Sequence, residues 1–312
     1  MLDRARPLTG FETPTMTSTG AWPDAAWRWP EALRSIDRID REAVGAAVVI
    51  KHGVLVAVIG AAAGLTGLWS SCIRTWLMLL ALRLVTLGQL SLDVPVGAPF
   101  PAWVTWRHVL ARVSTPPSRP GALHWRYSGG DDWIWFHRAI EQAGGAPCDV
   151  LLQTLLLDPL GATLRPNWER DGDPSDPNKP DRGEAYRTLR LDGEPYEMAK
   201  LGYLMLRQGR WRNEQLIDPA LTRLAVAGGL FGDGQPDPMQ GYMTHLVRGG
   251  RYDEIGGRPS MAGITDGYFA AGGQNRGYVV VLPEQDLVVA RVRRSGVWLD
   301  QWLPGLISAL DL

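Results

Sequence analysis

The chain reads as an α/β protein of the α+β type: an antiparallel sheet built from both chain ends, flanked by helices, with a helical lobe inserted between its halves. Two apolar hairpins near opposite ends, and the helical segments between them, predict this. The first hairpin is Ala46-Ala47-Val48-Val49-Ile50-Lys51-His52, a turn at Gly53, then Val54-Leu55-Val56-Ala57-Val58-Ile59. The second is Gly277 to Leu282 and Leu287 to Val292 around Pro283-Glu284-Gln285-Asp286. Strand runs this apolar are covered on both faces.

Between the hairpins, Cys72 to Leu87 holds good helix formers and stops at Gly88. Further helices are predicted over Trp133 to Ala143, over Cys148 to Leu157 (ended by Asp158-Pro159) and over Pro195 to Gln208 (ended by Gly209). Glu169 to Glu184, charged and proline-bearing, reads as a surface loop, and glycine-rich Gly228 to Gly263 as another. Residues 1–34 are rich in Pro, Thr, Gly and Trp without a period, so an irregular arm is expected there. That leaves 35–312 as one domain, with a helical lobe over roughly 71–210 inserted in the sheet lobe.

Composition narrows the function. The 312 residues are 45% hydrophobic, enough for a large core. Lys plus Arg number 32 against 33 Asp plus Glu, which leaves no electrostatic footprint for nucleic acid or an anionic membrane. The fourteen tryptophans suit a deep core or an aromatic-walled cleft. Cys72 and Cys148 make neither a disulfide framework nor a metal spacing, and Cys72 reads as a small buried residue. His52, His108, His124, His137 and His245 are scattered, and Asp131 and Asp132 read as helix-capping acids. There is no phosphate-cradling loop or dinucleotide fingerprint, so neither metal nor organic cofactor is expected. The apolar run Trp76 to Leu82 is bounded by Arg74 and Arg83, far short of the roughly 20 residues a bilayer needs. Met1 to Pro7 lacks the apolar core of a signal peptide. As written the chain reads as soluble and cytoplasmic; a mis-assigned start would open the way to export.

Chemistry concentrates in Ser71-Cys72-Ile73-Arg74 at the head of the first long helix. A serine there sits among unpaired backbone N–H groups, which orient its hydroxyl and stabilise an oxyanion. A side chain three residues on lies one turn away on the same face. The plainer alternative is that Ser70 or Ser71 caps the helix. Tyr127-Ser128-Gly129-Gly130 follows, and then Ala270-Ala271-Gly272-Gly273. Small residues in the last stretch let the backbone approach closely, so the Ala271 N–H could complete an oxyanion hole with that of Ser71. A glycine-rich turn explains the same glycines equally well.

Taken in order, these motifs resemble the β-lactamase-related serine hydrolases: class C β-lactamases, penicillin-binding proteins and esterases. The resemblance rests on Ser71 to Arg74, Gly88-Gln89-Leu90-Ser91-Leu92-Asp93, Pro120-Gly121 leading to Tyr127-Ser128, Asp158-Pro159-Leu160-Gly161 and the helix Met198 to Leu206. It spans roughly residues 40 to 295. It implies a β-lactamase/transpeptidase-like fold, Ser71 as nucleophile, and Tyr127 as base and later acid. Ser128, Gly129, Tyr268, Ala271 and Gly272 would border the substrate.

Three positions depart from the family. Gly129 stands where β-lactamases keep asparagine, and Tyr268-Phe269-Ala270 falls where Lys-Thr-Gly or His-x-Gly is usual. Both weaken a β-lactam and favour a small ester or amide. Arg74 replaces lysine. Arginine stays protonated in proteins, so Arg74 cannot accept the serine proton, although its charge can lower the pKa of Tyr127 and leave a tyrosinate as acceptor. Two readings follow: an esterase- or amidase-like enzyme, or a catalytically impaired homologue that binds a ligand or partner.

Overall fold

The computed structural model describes residues 46–59, 67–68, 72–98, 100–110, 131–170, 187–226, 247–248, 269–272, 277–292, 303 and 307. The arm expected over residues 1–34 lies outside them. In chain order the first elements are β1 (Ala46–Lys51), β2 (Val54–Ile59), β3 (Gly67–Leu68), α1 (Ile73–Thr86), α2 (Trp106–Leu110) and α3 (Asp131–Gly144). Then come α4 (Cys148–Leu152), a π-helical turn (Gln153–Leu157), α5 (Asp158–Leu160), β4 (Arg165–Arg170), β5 (Arg187–Gly193) and α6 (Pro195–Leu206). The remainder are β6 (Arg210–Trp211), β7 (Glu214–Gln215), α7 (Pro219–Val226), β8 (Val247–Arg248), β9 (Phe269–Gly272), β10 (Tyr278–Leu282) and β11 (Leu287–Val292).

Both predicted hairpins form, and they join into one sheet. Its order is β2-β1-β11-β10-β9-β8, every pair antiparallel. The first strands of the chain thus lie beside the last, with Ala46 opposite Val292 and Lys51 opposite Leu287. Every residue of β1, β10 and β11 is buried, as expected of strands covered on both faces.

One face of the sheet receives α6. Gly202 makes the approach close: a Cβ there would stand 2.7 Å from Val288 Cγ1 and 2.8 Å from Val279 Cγ1. Helix α1 is buried all round, from Ile73 to Leu82 without interruption, and so shows no polar stripe. The indole Nε1 of Trp76 donates to Met198 Sδ at 3.4 Å and joins α1 to α6. A buried polar knot fixes the other flank of α6. Lys200 Nζ donates to the Gly161 carbonyl at 2.6 Å and lies 3.0 Å from Glu197 Oε2, which also accepts the Thr163 N–H at 2.8 Å.

Past α6, Arg207 grips Asp286 through Nη1 (2.8 Å) and Nη2 (3.0 Å), and its Nε donates to the Tyr203 hydroxyl at 3.1 Å. The same carboxylate lies 2.9 Å from His52 Nδ1. One acid therefore clips together the β1–β2 turn, the β10–β11 turn and the end of α6. His52 (φ 50°) and Asp286 (φ 48°) both hold left-handed backbone, which short polar side chains tolerate better than most.

The helical middle departs from expectation in two places. Asp158-Pro159 does not end a helix, because the run from Cys148 continues through the π turn to Leu160 and stops at left-handed Gly161 (φ 56°). The wider turn restarts the α-helix at Asp158, so Pro159 falls in a first turn where its missing N–H leaves no bond unmade. Glu169 and Arg170 belong to β4, not to a loop; β3, β5 and β4 form a second antiparallel sheet. Three of the six residues of β4 and three of the seven of β5 are charged, while Leu189 and Leu191 of β5 are buried in the core. Residues 171–186 lie outside the described residues, as does the Gly228–Gly263 stretch apart from β8.

Candidate active site

Of the residues singled out from the sequence, Arg74, Ala271 and Gly272 are described; Ser71, Tyr127, Ser128, Gly129 and Tyr268 lie outside the described residues. Two of the described elements, α1 and β9, meet. Helix α1 opens at Ile73 with Cys72 at the N-cap position, which is not Ser70 or Ser71. The Cys72 thiol makes no capping bond and reaches the Gly277 carbonyl at 3.6 Å. Gly277 directly precedes β10, whose first residue, Tyr278, pairs with Gly272 of β9. The head of α1 and the end of β9 are therefore neighbours, although about 200 residues separate them in the chain.

Within β9 the two candidate residues face opposite ways. Ala271 is fully buried opposite Val279, on the face that receives α6. Gly272 pairs with Tyr278, and a Cβ on it would stand 2.9 Å from the Tyr278 ring. That contact accounts for the glycine by packing. β8 pairs only with Phe269 and Ala270, so among the described residues no strand covers the outer edge of β9 at Ala271 and Gly272. An open strand edge presents backbone N–H and C=O groups to whatever lies there.

Arg74 is 6% exposed, in the first turn of α1. Its charge reaches His137 of α3, a residue the sequence pattern left unassigned. His137 is 2% exposed, and its ring stands edge-on to Trp168 of β4 at 5.6 Å and 69°. Burial, with the Arg74 charge behind it, holds the His137 pKa down to about 3, so the imidazole is neutral at physiological pH. The signal for it was its place beside Phe136 and one turn from Ile140, on the buried side of an amphipathic helix.

One competing chemistry loses support. Burial pushes the Cys72 and Cys148 thiols well up, so neither supplies a thiolate nucleophile at neutral pH. Among the described residues no group of three His, Cys, Asp or Glu side chains could hold a metal ion, and no helix is long and apolar enough to cross a membrane.

No family model and no curated protein matches the chain. Solved structures do. A β-lactamase from Mycobacterium bovis superposes with a TM-score of 0.61 at 20% identity, over 89% of this chain and 97% of its own. A penicillin-binding protein homologue from Caulobacter crescentus gives 0.62 at 16% identity, over 90% and 96%. EstCE1, described as a hydrolase with promiscuous acyltransferase activity, gives 0.62 at 15% identity, over 90% and 99%. Likeness at these identities speaks for architecture. With its sheet built from both chain ends and helices between, the chain has the β-lactamase/transpeptidase-like fold.

Proposed function

We propose that the chain is a serine hydrolase that cleaves an ester or amide through an acyl-enzyme on Ser71. The observation carrying this is the meeting of the α1 head with the end of β9 through Cys72 and Gly277, within a fold shared with hydrolases. Ser71 Oγ attacks the carbonyl carbon, and its proton passes to the Tyr127 phenolate, kept ionised by the Arg74 charge. The backbone N–H groups of Ser71 and Ala271 hold the tetrahedral oxyanion. Tyr127 then protonates the leaving alcohol or amine, and water releases the acyl group. Ser128, Gly129, Tyr268 and Gly272 border the substrate, which is a small ester or amide rather than a β-lactam.

One observation favours a second reading. Arg74, a permanent cation, occupies the position of the usual lysine base. A homologue with that change binds a ligand or partner in the same crevice and turns over slowly or not at all. Incubation with a fluorophosphonate, followed by intact mass and peptide mapping, separates the two. The enzyme reading expects an adduct on Ser71 that vanishes in Ser71→Ala and falls strongly in Tyr127→Phe. An unlabelled native chain that becomes labelled in Arg74→Lys overturns it in favour of the impaired site.

A further inference from the structure

We propose that the dipeptide Gly277-Tyr278 sets the spacing of the oxyanion hole, with Tyr278 a positioning residue that holds the end of β9 against the head of α1. This rests on the assignment of the Ser71 and Ala271 N–H groups under Proposed function. Each of those residues is peptide-bonded to one that the dipeptide touches. Cys72, next to Ser71, directs its thiol to the Gly277 carbonyl at 3.6 Å. Gly272, next to Ala271, lies against the Tyr278 ring, where a Cβ would stand 2.9 Å from Cε1 and 3.0 Å from Cδ1. Each contact is thus one Cα–Cα step, about 3.8 Å, from the residue whose N–H it places.

The ring carries most of the restraint. Burial keeps the Cys72 thiol protonated, so it donates and the carbonyl accepts, but a thiol is a weak donor. β8 pairs with Phe269 and Ala270 and goes no further, so among the described residues Ala271 and Gly272 are held in the sheet only from the β10 side. A strand glycine has no side chain to pack. Tyr278, directly opposite and 4% exposed, covers Gly272 with its ring, as cross-strand aromatics do for glycines at sheet edges. β10 is anchored in turn. Its next residue, Val279, turns to the other face and meets α6 at Gly202, where a Cβ would stand 2.8 Å from Val279 Cγ1. Three successive residues therefore grip α1, β9 and α6.

Two measurements on the full chain test this. In the first, serine and alanine are isotope-labelled, and the amide NMR signals of Ser71 and Ala271 are compared across variants. Gly272→Ala drives a methyl into the Tyr278 ring and should move the Ser71 signal; Cys72→Ala removes the thiol and should move that of Ala271. Variants that each disturb only the nearer signal overturn the proposal. In the second, fluorophosphonate labelling of Ser71 is timed over a range of probe concentrations. Tyr278→Leu keeps an apolar side chain without the flat ring. It should lower the maximal labelling rate by about tenfold or more, with the half-saturating concentration changed less than about twofold. Tyr278→Phe, which keeps the ring, should retain most of the native rate. Gly272→Ala should slow the native chain yet add little to Tyr278→Leu, where the ring it strikes is gone. Native-rate labelling by folded Tyr278→Leu, or losses that multiply in the double variant, overturns the proposal. The amide comparison needs no Tyr278 variant, so it decides the matter if Tyr278→Leu does not fold. A native chain that takes no label defeats the hydrolase reading alone, and the amide signals then decide whether Gly277-Tyr278 couples the two elements.

Discussion

Lys200→Met removes the cation at the centre of the knot that fastens α6 to the turn after α5. Methionine keeps the unbranched stem, so little packing is lost. The Gly161 carbonyl loses a donor at 2.6 Å, and the buried Glu197 carboxylate loses a cation at 3.0 Å. Breaking a buried pair from one side costs about 3–5 kcal/mol. Glu197 keeps the Thr163 N–H at 2.8 Å, a charge-assisted bond that brings the expected loss to the lower end, about 3 kcal/mol. In a domain of this size that lowers the melting temperature by roughly 6 °C or more. Glu197→Gln discharges the acid yet leaves an oxygen for Thr163, so the double variant should be about 1–2 kcal/mol more stable than Lys200→Met alone. Urea denaturation followed by tryptophan fluorescence gives both values if the m-value is unchanged. A Lys200→Met loss below about 1 kcal/mol, or a double variant less stable than that single one, refutes the argument.

Gly202→Ala places a methyl 2.7–2.8 Å from two valines of the sheet; overpacking of about 1–3 kcal/mol should outweigh the roughly 1 kcal/mol gained in helix propensity, and a stabilised variant would contradict the close approach. The His137 imidazole binds its proton less readily in the folded chain (about 3) than in the unfolded one (6.5). Stability should therefore fall as pH drops from about 6.5 toward 3, and His137→Leu should show a flatter acid limb in denaturation; parallel limbs would count against it. Asp93→Asn breaks an exposed ion pair with Arg107 (2.8 Å) and should change stability by less than about 1 kcal/mol. A larger loss in the same melts would mean that the pair carries more of the loop than its exposure suggests.

The two hairpins were legible because β-branched runs with a Gly53 or Pro283 turn admit few other conformations. Helices α1 and α6 were legible from composition and from the glycines that end them; Gly88 and Gly209 both take left-handed backbone. The β4–β5 hairpin was hidden. Its sequences, Arg-Pro-Asn-Trp-Glu-Arg and Arg-Thr-Leu-Arg-Leu-Asp-Gly, are charged, and Pro166 on the edge strand β4 reads as a breaker until the pairing is seen. The π turn was hidden too, since an extra residue in a helical turn leaves no compositional trace. At the site, the order of the motifs pointed to α1 and β9, and the Cys72–Gly277 contact brings those elements together. His137 went unassigned because a lone histidine on an apolar face carries no motif. Its meaning comes from what α1 and β4 bring to it across the fold.

A sheet built from both chain ends has a consequence for synthesis. His52 and Asp286, clipped at 2.9 Å, are 234 residues apart. At 5–20 residues per second, β1 leaves the ribosome roughly 10–50 s before the strand that will cover its inner edge. Through that interval Ala46-Ala47-Val48-Val49-Ile50 is an apolar strand waiting for its partner, the kind of segment that chaperones bind and that aggregates when they are scarce. Nascent chains halted before β10 should accordingly stay protease-sensitive throughout, and a protected fragment containing β1 would show that the early hairpin finds cover without its distant neighbour.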